Sequence, residues 1–469
     1  MRAGGVHAVS APRLSRSAGP GRAAAPVRLL HLGLGNFFRA HPCWYTEHAA
    51  DAARWGFAAF TGRSGSPLVG ALNAQQGCYT LVSRGADADR FEVLGALSRA
   101  HPAADNDAWL RSFADPRLAV VTITVTEAGY LRGADGGLDT GRPEVQADIE
   151  ALRKDLTAAV RTAPARLVAG IAARRKADAG PLAIVPCDNT PGNGALAGRV
   201  VRDLAERIDD GLTGWLAESV AVVTTMVDRI TPRATPGHVR VVLQATGFDD
   251  RCPVVSEPFH EWVLSGAFPA GRPRWEDAGA TFTEDITPHE HRKLWLLNGA
   301  HSLLAYAGSI RGHQTVAEAV ADDTCRSWLE RWWATASPRL DQPPADLAAY
   351  RAALLERFGN ARMNDRLDRI AADGSQKLPI RILPVLRAER AAGRVPAAAT
   401  RALAAWICHL RGLGAPVSDV RAGELVPLAT GPLAAAVPRV LGWLDPALGA
   451  DADVVAIIAD QSAAFAREP

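Results

Sequence analysis

The densest set of chemically useful side chains runs through Thr287-Pro-His-Glu290-His-Arg-Lys293-Leu-Trp-Leu-Leu-Asn298-Gly-Ala-His301. Thr287 with Glu290 three residues on has the pattern of a capping box, and Pro288 suits the first helical position, so a helix starts here. At about 100° per residue, measured from Lys293, Glu290 falls at about 60°, His301 at about 80° and Asn298 at about 140°. Four polar groups then share one face of a helix whose other positions include Trp295, Leu296 and Leu303. A lysine among apolar neighbours loses its proton more readily and can act as a general base near neutrality. Glu290 also reads as a plain cap and Lys293 as a solvated lysine, but the shared face favours chemistry for the lysine.

A second candidate lies after the apolar run Val27 to Leu32, in His31-Leu-Gly33-Leu-Gly35-Asn36-Phe37-Phe-Arg39-Ala-His41. Two glycines after a strand let the backbone approach a pyrophosphate held on the next helix. The third fingerprint position is Phe38, so spacing alone also fits an ordinary strand-to-helix turn. The carboxylate that would bind a ribose after the second strand is missing; Thr61-Gly-Arg63-Ser64 stands there. Arg63 either attracts a 2′-phosphate or lies on the surface. Cys187-Asp-Asn189 and Met226-Val227-Asp228-Arg-Ile-Thr-Pro each follow an apolar segment. Ligands of open parallel sheets sit at such strand ends, although Asp-Asn also favours turns.

The elements that must position these residues follow from the apolar runs. Strand-like segments occur at 56–60, 79–83, 118–125, 182–187 and 239–245, separated by helix-like stretches such as 143–160 and 195–208. That alternation predicts a mostly parallel sheet covered on both faces. After Asp285 the strand runs stop and helical periodicity takes over, as at 345–358 and 397–410. The expected organisation is a disordered leader over 1–26, an α/β dinucleotide-binding domain over 27–285 and an all-helical domain over 286–469. With 469 residues the chain can bury a large core. Lys and Arg (52) nearly balance Asp and Glu (50), which argues against a nucleic-acid partner. No apolar run reaches membrane-spanning length. Six scattered cysteines with no C-x-x-C pair fit neither a zinc site nor a disulfide scaffold, and a reducing cytoplasm is expected.

Together, several segments resemble the polyol-specific long-chain dehydrogenase/reductase family, which holds mannitol 2-dehydrogenases and fructuronate reductases. They are the Gly33–His41 turn, Tyr79-Thr-Leu, Thr126-Glu127-Ala-Gly129-Tyr130, Cys187-Asp-Asn189 and Met226 to Pro232. The Lys293/Asn298/His301 helix and Asp373-Gly-Ser-Gln-Lys377-Leu-Pro379 complete the set, so the likeness spans most of the chain. It implies a Rossmann-type domain with an all-α domain after it, and a metal-independent dehydrogenase that interconverts a secondary alcohol of a polyol or sugar acid with its ketose, as in mannitol and fructose. By the same resemblance Lys293 is the general base, Asn189 and Asn298 are the oxyanion donors, and Glu127 with Glu290 exchange the proton with solvent. His301, Arg369 and Lys377 resemble substrate contacts, with Val227 and Asp228 lining the pocket. Gly33, Gly35, Asn36, Phe37 and Arg39, with Arg63 and Ser64, would hold NAD.

Two departures stand out: Ala128 replaces the lysine or glycine of many relatives, and the acidic cofactor discriminator is absent, which leaves NADP open. Arg381 adds a cation that a sugar acid would use, so fructuronate reductase and mannitol-1-phosphate 5-dehydrogenase are the alternatives. A catalytically silent nucleotide-binding protein would lack the base or the donors, and all are present. The implied partners are small molecules only, with a monomer or weak homo-oligomer expected because no heptad seam exists.

Overall fold

Six short apolar segments build the main sheet: β1 (Val27–Leu32), β2 (Gly56–Phe60), β3 (Leu97–His101), β4 (Val120–Ile123), β5 (Leu182–Pro186) and β6 (Val220–Val222). All of them pair in parallel, in the order β3-β2-β1-β4-β5-β6. This is the doubly wound order, and its reversal between β1 and β4 opens a crevice at the strand C-termini. Alternate residues of β1 feed opposite cores, as a strand's period of two requires. Leu30 and Leu32 pack with Val121, Trp109 and Ile171, while Leu29 packs with Phe57, Val120, Tyr79 and Trp262. The computed structural model describes residues 11–19, 21–62, 65–133 and 135–467, and the chain divides into two compact units, Met1–Ile286 and Thr287–Pro469.

Two strand expectations change. The Tyr79 segment is a strand, but it pairs with Asp89–Leu94 and Val254–Ser256 in a separate three-stranded sheet. The run at 239–245 lies inside a helix, Pro236–Thr246. Its ends decide the matter: Thr235 forms a capping box with His238, Pro236 opens the first turn, and Gly247 closes the helix at φ 75°. Those signals override the strand preference of its valines. A third sheet pairs Thr224–Asp228 antiparallel with Glu261–Ser265 and so places Val227 and Asp228.

The leader is also different from the disordered segment expected. Residues 1–10 and 20 lie outside the described residues, but Leu14 is fully buried and its amide donates to the Asp249 carbonyl. Arg16 donates to the carbonyls of Gln76, Gly95 and Leu97 at 2.9, 2.9 and 2.8 Å. One apolar side chain and one five-donor guanidinium suffice to pin a segment that composition marks as loose.

Helix Ala163–Lys176 is fastened to the segments that lead into β4 and β5 by a second such guanidinium. Arg174 is fully buried and donates to the carbonyls of Phe113, Asp115, Leu118, Ala179, Gly180 and Pro181 at 2.7–3.1 Å. Arg174→Met keeps the stem and removes every donor. Unfolding in urea should then show a loss of about 3 kcal/mol or more, because buried carbonyls lose their partners. An unchanged midpoint would mean that the loop carbonyls find water instead.

Every named element of the second unit is helical. Among the described residues no helix is long and apolar enough to cross a membrane.

Candidate active site

In the first unit the turn after β1 is shaped by backbone need. Gly33 has φ 115°, and a Cβ there would lie 2.1 Å from the Thr124 carbonyl oxygen at the end of β4, so no other residue fits. A Cβ on Gly35 would meet only the Gly33 carbonyl at 3.5 Å, so this backbone is open on its outer side. Beneath the turn His31 is fully buried, its ring nitrogens on Thr122 Oγ1 (2.7 Å) and Thr124 Oγ1 (3.0 Å). Burial lowers its pKa to about 3, so it is neutral. Phe38, where a third glycine was looked for, stacks on that ring at 3.6 Å.

Asn36 and Phe37 are half-buried at the start of the helix Asn36–Ala40. Arg39 turns inward. Its guanidinium donates to the Gly35 carbonyl (3.2 Å), Asn36 Oδ1 (2.7 Å) and the Cys252 carbonyl (2.6 Å), so it braces the turn from within. Arg63 and Ser64 lie outside the described residues. Thr61 before them is buried, and its Oγ1 accepts from the Ala103 amide at 2.8 Å.

Glu127 is exposed on a single helical turn, Glu127–Tyr130, just beyond β4. Asn189 is exposed in the loop beyond β5, between buried Asp188 and Thr190. Val227 and Asp228 are buried at the end of their strand. Sequence reasoning missed Arg229 beside them, buried over Trp44 and donating to the Ala40 carbonyl at 2.6 Å. It also missed Asp188, whose carboxylate accepts the Tyr130 hydroxyl. The signal for each lay inside a quoted motif, in a charged residue too costly to bury without work to do.

In the second unit the candidate helix does not keep α geometry. Thr287–Arg292 is α-helical, Lys293–Gly299 is π-helical, Ala300–Leu303 returns to α, and Leu304–Gly308 is π-helical again. The wheel drawn at α spacing therefore misplaces Asn298. A π turn bonds i to i+5, which brings residue 298 nearly under residue 293. The widened turn is held by two tryptophans: Trp332 and Trp333 donate their indole N–H to the carbonyls of Trp295 and Leu296, each at 2.8 Å. Gly299 makes room, since a Cβ there would lie 2.7 Å from the Trp332 ring.

Lys293, Asn298 and His301 are all buried, at 7%, 8% and 7% exposure. Asn298 Oδ1 is buried without a hydrogen-bond partner among the described residues. His301 packs against Phe358 with ring centroids 4.7 Å apart, and its Nε2 stands 3.9 Å from Asp365 Oδ2, a carboxylate absent from the sequence reading. Burial raises the Asp365 pKa, with Arg369 and Arg357 opposing. Glu290 is half-buried one turn before Lys293.

Of the expected substrate cations, Arg369 is exposed. Lys377 donates to the carbonyls of Ile370 (3.1 Å) and Ala372 (2.5 Å), which ties the loop before its own helix. Arg381 is buried and donates to the Asn298 carbonyl (3.5 Å) and Ser302 Oγ (3.3 Å). A trio with metal-ligand atoms within 4.8 Å, His313, Asp322 and Cys325, lies elsewhere in this unit. Arg311 occupies the same Asp322 oxygen at 2.9 Å, and the other oxygen caps the amides of Thr324 and Cys325, so that carboxylate already has its positive partners.

The mannitol dehydrogenase Rossmann domain pattern matches residues 27–277, and that of the mannitol dehydrogenase C-terminal domain matches residues 285–421. A D-arabinitol 4-dehydrogenase of Ralstonia nicotianae is 39% identical over 400 residues, which is 83% of this chain and 84% of that one. The D-mannonate oxidoreductase of Escherichia coli is 35% identical over 395 residues, 82% of this chain and 80% of that one. The structure of Pseudomonas fluorescens mannitol 2-dehydrogenase, a ternary complex with NAD and D-mannitol, aligns with a TM-score of 0.83 at 29% identity. That alignment covers 97% of this chain and 95% of the other. This chain belongs to the mannitol dehydrogenase family and is an oxidoreductase of the polyol and sugar-acid type that works with a nicotinamide cofactor.

Proposed function

We propose that the protein interconverts a secondary alcohol of a linear polyol, mannitol or arabinitol in type, with the corresponding ketose, in a reducing cytoplasm. The observation that carries this reading is the buried trio Lys293, Asn298 and His301 on one partly π-helical segment. Lys293 takes the proton of the reacting hydroxyl. Asn298 and Asn189 donate their amide hydrogens to the same oxygen as negative charge gathers there. His301 and Asp228 accept or donate at neighbouring hydroxyls and set which carbon is presented. Glu127 and Glu290 pass the proton between Lys293 and solvent. A bound nicotinamide cofactor would supply the hydride acceptor for that carbon. The Gly33–Phe37 turn would hold its pyrophosphate: Gly33 has the positive φ such a turn needs, and Gly35 presents open backbone.

A sugar-acid substrate is the second reading, favoured by buried Arg381 beside Asn298, because a guanidinium is the natural partner of a carboxylate. Steady-state rates with mannitol, arabinitol, mannonate, fructuronate and fructose 6-phosphate, each with NAD(H) and NADP(H), separate these. Absence of turnover with all of them would remove the proposal.

Cofactor choice gives a sharper expectation. Arg63 and Ser64 offer a cation and a hydroxyl where a discriminating acid would stand. NAD(H) should be preferred, yet NADP(H) should be turned over measurably. Arg63→Ala should lower the NADP(H)-to-NAD(H) ratio of kcat/KM. An unchanged ratio would make Arg63 a plain surface residue.

A further inference from the structure

Two loops of the first unit carry different parts of the proposed chemistry, and one side-chain bond joins them. Tyr130 closes the turn that begins with Glu127, and its hydroxyl donates to Asp188 Oδ2. Asp188 immediately precedes Asn189. Its other oxygen, Oδ1, accepts the Thr190 amide at 3.3 Å, so the residues on both sides of Asn189 are held by one carboxylate. The loop is braced below by Asn193. That side chain donates to the Pro186 and Asp188 carbonyls at 3.4 and 3.3 Å and accepts the Thr225 amide at 2.9 Å.

Asp188 is 9% exposed and Tyr130 2%. Among the described residues of the first unit, the ionisable groups that face Asp188 are Tyr130 and Cys187, and burial keeps both neutral. A carboxylate buried without a cation costs stability, and a neutral side chain would fill the space more cheaply.

We propose that Asp188 is a positioning residue that locks the Asn189 loop to the Glu127 turn by holding the Tyr130 hydroxyl and the Thr190 amide at once. This rests on the roles given above to Asn189 and Glu127. The ionised carboxylate accepts both hydrogens. In the protonated acid the Tyr130 hydroxyl must turn to accept, and both bonds lose the charge that made them roughly twice as strong as neutral ones. Burial raises the Asp188 pKa to about 6, with Tyr130 and Thr190 opposing. The lock is therefore complete above that pH and loosens below it.

The test is run on the whole protein with Asp188→Asn and Tyr130→Phe. Ketose reduction is the direction to follow, because Lys293 must then carry its proton and its own titration appears as an alkaline limb. Wild type should show an acid limb near pH 6. Asp188→Asn should lose that limb and drop kcat roughly tenfold at pH 8, the loss of one charge-assisted hydrogen bond, with little change in KM. Tyr130→Phe removes a donor from the carboxylate and should move the limb upward. Amide hydrogen exchange should rise in both segments, 126–131 and 187–194, in each variant.

An acid limb that survives Asp188→Asn, or exchange that rises only in the substituted segment, would overturn the proposal. Exchange reads the lock without turnover. A coupled rise in a protein that turns over no polyol or ketose would therefore count against the functional reading and leave the lock standing.

Discussion

Replacing Lys293 with alanine should lower kcat by roughly 100- to 10,000-fold, the usual worth of a positioned general base. Cofactor binding should persist, because the glycine turn that would hold the pyrophosphate lies in the other unit. Lys293 is 7% exposed, flanked by buried Leu294, Trp295 and Leu296. Alanine fits that helix without strain, so the change removes the amine and little else. The measurement pairs kcat for polyol oxidation with a direct titration of NAD(H) binding. A kcat close to wild type, at a pH where wild type is active, would remove Lys293 from the chemistry.

The amides should come next. Asn298→Ala and Asn189→Ala should each reduce kcat by about 3 kcal/mol of transition-state stabilisation, or roughly 100-fold, and change KM less. The reason is timing: the alcohol oxygen is neutral in the ground state and takes on charge only as the proton and hydride leave. A donor aimed at it therefore binds the transition state better than the substrate. Asn298 is the cleaner test, since no donor among the described residues engages its buried Oδ1. A pure KM effect would mean that the amides only seat the substrate.

Much of this was legible in the sequence, and the failures have physical causes. The glycine turn, the change to helices after Asp285 and the Lys293–His301 cluster could be read because each rests on local signals: backbone freedom, periodicity, capping. The run at 239–245 reads as a strand by its valine-rich composition, whereas Thr235-Pro236 and Gly247, the end signals, decide for a helix. Arg39 reads as a cofactor contact because it lies in the Gly33–His41 motif. Only the fold shows the Cys252 carbonyl arriving from 213 residues away to engage it. Leu14 and Arg16 were invisible for the same reason: their partners lie at residues 76, 95, 97 and 249. The helical wheel assumed α spacing, and the π turn depends on indoles from a different helix.

That π turn makes the spacing of Lys293 and Asn298 sensitive to chain length as well as to side-chain identity. It behaves as one residue inserted into an α-helix, so deleting a single residue between Lys293 and Asn298 would let the segment close to ordinary α geometry. The residues on either side would keep their faces, because the extra residue is what the widened turn absorbs, but the amide would then stand a single α turn from Lys293. The carbonyls of Trp295 and Leu296 would draw back into the helix ladder and off the Trp332 and Trp333 indoles. Most substitutions along this stretch preserve the widened turn; a one-residue gap does not.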